Sequence, residues 1–448
     1  MRVHLVAPAR EDASGSRPRA YFAPPLSLAA VAASSPPEVE VSLADENVGP
    51  IDLEVDADLV GITAMTQTAT HAYQIADIFR ARGTKVVLGG IHPSALPEEA
   101  GQHADAVVVG EAEWVWPQLL SDLHAGQLQP IYRSDERPAL AGLPAPRRDI
   151  FKRKSYLLAD SVYTTRGCPF GCSFCSVTSF FGGTYRWRPT DEVLTEIAGM
   201  PAKPVLFFVD DNIVGHKAHA RDLFLGLAPH KLAWIAQAST TIARDEALLS
   251  LAAASGCKGI FLGIESLSPA NLDAVGKRHN QVAEYEEAIR RIHAHGIAVV
   301  GSFIFGFDHD TEDVFETTVR FAQRNRLEAA EFLILTPYPG TPLMASMEQQ
   351  GRLLTRDWSQ YREDTAVFAP KLMSKRTLEE GRAWAWREFY SLGSIWQRIG
   401  RSHPRDLLVW ALNLNHRDDP ISRAVFDRLA SWASPLLEEL LEHRLRPG

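Results

Sequence analysis

Three cysteines within eight residues constrain this chain more than any other feature: Arg166-Gly-Cys168-Pro-Phe-Gly-Cys172-Ser-Phe-Cys175, directly after the β-like run Ser161–Thr165. A C-x3-C-x2-C loop brings thiolates close enough to hold one iron–sulfur cluster. Its glycines and Pro169 let the loop wrap a cluster without Cβ clashes. A [4Fe–4S] cube presents four irons, so three cysteines leave one open to another molecule. Zinc, the competing occupant, prefers four N or S ligands. Neither a further cysteine nor a histidine follows in Ser176–Gly183.

The chain holds 4 cysteines in 448 residues; the last, Cys257, reads as a small buried hydrophobe. A second three-cysteine cluster cannot be built. The net charge of −9 and the lack of a basic tract argue against nucleic acid or an anionic membrane as partner. With no apolar run of about 18 residues and no signal-peptide pattern, the expectation is a cytoplasmic protein without a membrane contact.

From Met1 to about Ala125, short apolar runs alternate with amphipathic stretches. Arg2–Ala7, Val39–Leu43, Asp58–Thr63, Lys85–Leu88 and Asp105–Val109 read as strands; Leu26–Ala33, Thr70–Arg82, Ala95–Gln102 and Trp114–Ala125 read as helices. This alternation predicts an α/β, doubly wound, Rossmann-like domain over 1–125, with ligand loops beyond the carboxyl ends of its strands. Residues 126–153, rich in Pro, Arg, Gly and Asp, read as a linker. Strand-like runs then recur at Ser161–Thr165, Val205–Val209, Leu232–Ala238, Gly259–Ile264, Ala298–Phe305 and Glu331–Leu335, predicting a partial (β/α)6 barrel over 154–350. The remainder, 351–448, is helical in pattern and carries Trp384, Trp386, Phe389, Tyr390, Trp396, Trp410 and Trp432, which at helical spacing read mostly as core. His71, His216, His219, His279, His293 and His295 read as helix-face or cap residues.

Around its cysteines the chain resembles the radical S-adenosylmethionine (SAM) enzymes, and over its whole length the cobalamin (B12)-binding branch of methyltransferase-like members. The resemblance implies that Cys168, Cys172 and Cys175 ligate the cluster and Phe174 precedes the last of them beside SAM. It also implies that Asp210 and Asp211 accept the SAM amino group, that Gln237 and Ser239 contact its ribose or carboxylate, and that Glu265 accepts a ribose hydroxyl. Ile304 and Phe305 would pack the adenine. Tyr338 is open between substrate contact and turn packing, and an N-cap role at Asp211 or Asn212 is compatible with the SAM role. In the first domain, Gly61-Ile-Thr63-Ala-Met65-Thr66-Gln67 resembles the Ser-x-Leu loop of cobalamin domains. Leu88-Gly89-Gly90-Ile-His92 resembles their glycine pair, and Gly110-Glu111-Ala-Glu113 their last loop. The Asp-x-His-x-x-Gly motif is absent from the first loop, Ala9–Pro25, so the cobalt would lack a histidine ligand. A domain that binds nothing is the alternative.

What the resemblance implies is a cobalamin-dependent radical SAM methyltransferase. Its cofactors would be a [4Fe–4S] cluster, SAM and methylcobalamin. A 5′-deoxyadenosyl radical would open an unactivated carbon of a small, natural-product-like substrate to methylation. A cobalamin radical SAM cyclase or rearranging enzyme needs the same sites, and a non-catalytic B12 or Fe–S sensor is the reading from another class. The expected partners are the substrate and an electron donor such as flavodoxin or ferredoxin, and the expected state is a monomer.

Overall fold

The computed structural model describes residues 1–10, 23–134, 137–156, 158–201 and 205–400, with the short stretches 409–410, 413–414 and 416–417. Two compact units result. One joins Met1–Glu196 to Thr336–Arg362; the other joins Ile197–Leu335 to the described residues from Glu363 onward.

The first unit is built on strands β1 (Arg2–Ala7), β2 (Glu40–Asp45), β3 (Leu59–Thr63), β4 (Lys85–Gly89), β5 (Ala106–Val109) and β6 (Ile131–Arg133). They form one parallel sheet in the order β2-β1-β3-β4-β5-β6. Helices Leu26–Ala33, Ala69–Ala81 and Trp116–His124 bury their apolar residues. The inner strands β1, β3, β4 and β5 are accordingly near-continuous buried runs, as a sheet covered on both faces demands, while β2 and β6 at the edges alternate. Leu5, Val41, Val87, Val108, Trp116 and Leu119 share one core. The strand order reverses beside β1, so ligand loops belong beyond the carboxyl ends of the strands.

Three local expectations change. β6 falls inside the stretch read as a linker: it is a three-residue edge strand after Pro130, too short to show a period. The single helix expected over Ala95–Gln102 is two short ones, Ile91–Ala95 and Pro97–Ala100, because Leu96 leaves the helical region at φ −131° and Pro97 starts a new turn. Ser161–Thr165 is not one strand either: β7 covers Ser161–Val162, and β8 (Thr165–Gly167) pairs antiparallel with β9 (Tyr185–Trp187).

The second unit carries β10 (Leu206–Phe208), β11 (Trp234–Ala238), β12 (Cys257–Glu265), β13 (Ala298–Phe305) and β14 (Ala329–Ile334), parallel and adjacent in chain order. Helices Lys217–Leu227, Glu246–Ala254, Tyr285–Ala294 and Val314–Arg324 return the chain between successive strands, the βαβ arrangement of a barrel wall. Phe303, Phe305 and Phe332 lie on the helix side, meeting Phe315, Phe321 and Phe389. Gly381 lets the helix Lys375–Phe389 close on this wall, since a Cβ there would stand 2.2 Å from the Phe315 ring. The Tyr390 hydroxyl donates to the Ala330 carbonyl at 2.9 Å and accepts its N–H at 3.1 Å.

Helices continue to Ile399, as the aromatic tail predicts. Trp384 and Trp396 are exposed rather than core, while Phe389 and Tyr390 are buried. Trp432, with residues 401–408 and 418–448, lies outside the described residues, as does most of the loop Ala9–Pro25. The histidines serve locally: His216 caps the helix Lys217–Leu227 by accepting the His219 N–H, His71 meets Glu46 at 2.7 Å, and His293 meets Glu328 at 3.1 Å.

Candidate cofactor sites

The cysteine loop leaves β8 at Gly167, whose φ is +87° and where a Cβ would lie 2.0 Å from the Thr184 carbonyl oxygen. Only glycine fits that approach. Cys175 N–H then donates to the Cys172 carbonyl at 3.1 Å, the Thr178 hydroxyl donates to the Phe170 carbonyl at 3.1 Å, and Leu343 N–H donates to the Ser173 carbonyl at 3.0 Å. The loop backbone is therefore tied down, leaving the cysteine thiols as its soft donors. Cys172 is buried; Cys168, Cys175 and Phe174 are half-buried. Three soft sulfur donors on one loop are the ligand type that iron–sulfur chemistry uses, although among the described residues no three His, Cys, Asp or Glu side chains stand together as a metal-holding group.

Arg166, two residues before Cys168, anchors this loop. Its Nη1 reaches Glu111 Oε1 at 2.5 Å and its Nη2 pairs with Glu113, while Arg186 Nη2 takes the other Glu111 oxygen at 2.6 Å. None of the four side chains is more than 12 % exposed. Burial pulls the Arg166 pKa down, but Glu113, Tyr163 and Glu111 hold it above the ordinary arginine value. Glu111 is thus consumed by two arginines, which corrects the expectation that it faces the corrinoid. Its partners stand 55 and 75 residues away, so no local pattern announces them.

The other residues expected at cobalamin divide. Met65 is half-exposed and Thr63, Gln67, Gly89 and Gly110 are partly accessible at the strand ends. Gly89 has room, since a Cβ there would meet only Val108 at ordinary contact distance, whereas one on Gly90 would stand 2.8 Å from both Ala64 O and Thr63 Oγ1. Gly90, with φ +101°, is needed to seat one loop on the other rather than to admit a ligand. His92 is 0 % exposed, with Nδ1 at 3.4 Å from Thr66 Oγ1 and Nε2 at 3.3 Å from Glu99. Burial lowers its pKa. Glu99 also accepts from Tyr73 Oη at 3.0 Å and from Trp358 Nε1 at 2.8 Å. His92 and Thr66 therefore form a buried polar knot beneath the loop, not a surface offered to a cofactor. The accessible strand ends at Thr63, Met65, Gln67, Gly89 and Gly110 fit a broad ligand lying across them.

In the second unit, Asp210 is buried directly after β10. Asn212 Oδ1 accepts the Ser239 N–H at 3.1 Å and the Gln237 carbonyl accepts the Ile213 N–H at 3.0 Å, which stitches the Asp210-Asp211-Asn212 turn to the end of β11. Ser239 itself bonds Thr241 at 2.6 Å. Glu265 has φ +64°, at a register shift in β12. Backbone strain of this kind persists where its surroundings enforce it. Lys277 Nζ lies 2.6 Å from Glu265 Oε1 and Ser302 Oγ donates to Oε2 at 3.3 Å, leaving lone pairs for a hydroxyl. Buried carboxylates at the ends of β10 and β12, on either side of β11, suit an ammonium group and a diol, as SAM presents.

Strand alternation corrects one further expectation. Ile304 lies on the inner face with Ser302, but Phe305 points the other way, 1 % exposed, 5.9 Å from Phe332 and 4.9 Å from Phe315. It is core and cannot meet adenine from there. The same alternation puts Glu331, register partner of Ser302, on the inner face. It is hidden in sequence between Ala330 and Phe332. Burial pushes its pKa up to about 7, with Glu363 adding to the rise and Arg382 opposing it. A carboxyl whose folded pKa lies above its unfolded value costs stability once ionised, so the penalty grows from about pH 4.5 to 7 and is complete above that. Glu331→Gln is expected to match the wild type near pH 4.5 and to melt higher above pH 7, by up to about 3 kcal/mol. Equal melting curves at pH 8 would count against a buried, raised Glu331.

Comparison with known proteins agrees with this arrangement. The B12-binding domain model matches residues 17–120 and the radical SAM superfamily model residues 162–322. Bacteriochlorophyllide d C-12(1)-methyltransferase of Chlorobaculum tepidum is 34 % identical over 401 residues, covering 87 % of each chain. The chain belongs to the cobalamin-dependent radical SAM methyltransferases. Bacteriochlorophyllide d C-8(2)-methyltransferase of the same organism is 31 % identical, covering 84 % of this methyltransferase and 88 % of that protein. The fold matches the radical SAM methyltransferase TsrM of Kitasatospora setae, solved with cobalamin and a [4Fe–4S] cluster, at a TM-score of 0.68 and 17 % identity over 97 % of this chain and 99 % of that one. A [4Fe–4S] cluster, SAM and cobalamin are the methyltransferase's cofactors.

Proposed function

We propose that this methyltransferase alkylates an unactivated carbon of a small, natural-product-like molecule. The observation that carries the reading is that one compact unit holds both the sheet matched to B12 binding and the three-thiol loop, joined by the buried Arg166–Glu111–Arg186 pairing. When bound, the cluster, SAM and cobalamin together supply one-electron reduction, hydrogen abstraction and a transferable methyl group. The protein's own part is positioning. Cys168, Cys172 and Cys175 hold iron; Asp210, and Asp211 beside it, accept the SAM ammonium. Glu265, paired with Lys277, accepts a ribose hydroxyl; Gln237 and Ile304 border the same inner face. Met65, Gln67, Gly89 and Gly110 border the corrinoid, and Glu331 is placed to meet a polar group of the substrate or SAM.

The substrates in the two relatives' names, bacteriochlorophyllides, support a small molecule over a macromolecule. A single cluster motif in the chain leaves each reducing electron to come from outside, so a flavodoxin- or ferredoxin-type donor is part of the proposal, as are a cytoplasmic location and a monomer. Among the described residues no helix is long and apolar enough to cross a membrane.

The test is product stoichiometry with methyl-labelled SAM. One S-adenosylhomocysteine and one 5′-deoxyadenosine are expected per methylated product. Deoxyadenosine released without S-adenosylhomocysteine would instead establish the cyclase or rearrangement reading, for which the same sites serve.

A further inference from the structure

A cavity of about 460 Å³ opens within the first unit at the carboxyl ends of β4, β5 and β6, bordered also by the helix Ser176–Phe180 that follows the last cysteine. That is an ordinary size for a small-molecule site. Its charge is not ordinary for a chain of net charge −9: Arg133 and Arg137 line it, with the hydroxyls of Ser176 and Ser179, and among the described residues no carboxylate does. Among the described residues neither arginine meets a carboxylate, whereas Arg166 and Arg186 of the same unit are both paired.

The backbone makes room for one of these cations. A Cβ on Gly110 would stand 3.2 Å from Arg137 Nη1, and one on Gly182 would stand 3.2 Å from its Nε. Both glycines have positive φ, +85° and +67°. Side chains at those two places would crowd the guanidinium slot. Ile91 and Phe180 supply apolar wall beside it. A guanidinium that meets no carboxylate among the described residues of a half-enclosed site is a strong, geometrically selective binder of planar or tetrahedral oxyanions, because its N–H fork matches two oxygens at once.

We propose that Arg133 and Arg137 bind an oxyanion, a carboxylate or a phosphate, on a ligand whose apolar body lies along Ile91 and Phe180. The proposal rests on the methyl-transfer reading only for its two sources of that oxyanion: the phosphodiester in the nucleotide arm of cobalamin, or a carboxylate on the substrate. The site therefore selects an anionic partner.

Binding alone tests this, without turnover. Cobalamin and cobinamide, which lacks the phosphodiester, are titrated by tryptophan fluorescence into wild type and into Arg133→Gln, Arg137→Gln and the double variant. Pyrenebutyrate and neutral pyrenebutanol are then titrated by anisotropy into the cobalamin-loaded proteins. Circular dichroism checks that each variant is folded. If the phosphodiester is the ligand, the double variant loses at least tenfold in cobalamin affinity and nothing in cobinamide affinity. If a second ligand's carboxylate is held, both corrinoids bind as before, and wild type prefers pyrenebutyrate over pyrenebutanol by at least tenfold, a preference the double variant loses. Unchanged cobalamin affinity together with no pyrenebutyrate preference in wild type overturns the proposal. Failure to form S-adenosylhomocysteine would sink the methyl-transfer reading and leave these affinities untouched.

Discussion

Replacing any one of Cys168, Cys172 or Cys175 by alanine is expected to abolish 5′-deoxyadenosine release, a loss beyond about a thousandfold, or more than about 4 kcal/mol in barrier terms. Thiolates are the donors this loop offers, and it has no spare one: Cys257 is buried in β12, where burial pushes its thiol pKa far up. The loop's backbone anchors through Thr178, Leu343 and Gly167 do not involve the thiols, so the variants are expected to fold and to keep their corrinoid affinity. Iron and sulfide content should fall with activity. Continued SAM cleavage by any of the three variants would overturn the assignment of that cysteine to iron.

Glu111→Ala is expected to be strongly destabilising to the first unit. Removing it takes the carboxylate from Arg186, leaving that guanidinium, among the described residues, only the Pro138 carbonyl and the Thr184 hydroxyl, and costs Arg166 one of its two carboxylates. Breaking a buried pair in this way costs about 3–5 kcal/mol. Glu113→Ala should cost less, because Arg166 keeps Glu111. The measurement is thermal unfolding of the cofactor-free protein, where a shift of roughly 5 °C or more is expected for Glu111→Ala. A melt within one degree of wild type would show that the pairing carries no net stability. Iron content adds a second readout, since Arg166 fixes the strand from which the cysteines depart.

Much of the architecture is written in local pattern. Leu26–Ala33 and Ala298–Phe305 have the ends their apolar runs predict, because each is bounded by strong punctuation and buried along its length. β6 escaped notice because three residues at a sheet edge show no period. The site was less legible where partners are remote. Nothing near Glu111 announces Arg166 or Arg186, and nothing near His92 announces Trp358. Ile304 and Phe305 are neighbours in sequence, but β-strand alternation gives them opposite surroundings, so a motif spanning both names one inner residue and one core residue. Glu331 escaped because a lone acid between Ala330 and Phe332 takes its meaning from the strand beside it.

The bond from Trp358 Nε1 to Glu99 joins residues 259 positions apart. A ribosome adding about 5–20 residues each second needs roughly 13–50 s to travel that distance. During this interval the nascent first unit carries Glu99, Tyr73 and the imidazole of His92 without the indole that covers them. Completion of this unit is therefore timed by synthesis of the whole segment inserted into it, and a transcript truncated before Trp358 would release a chain that never closes there.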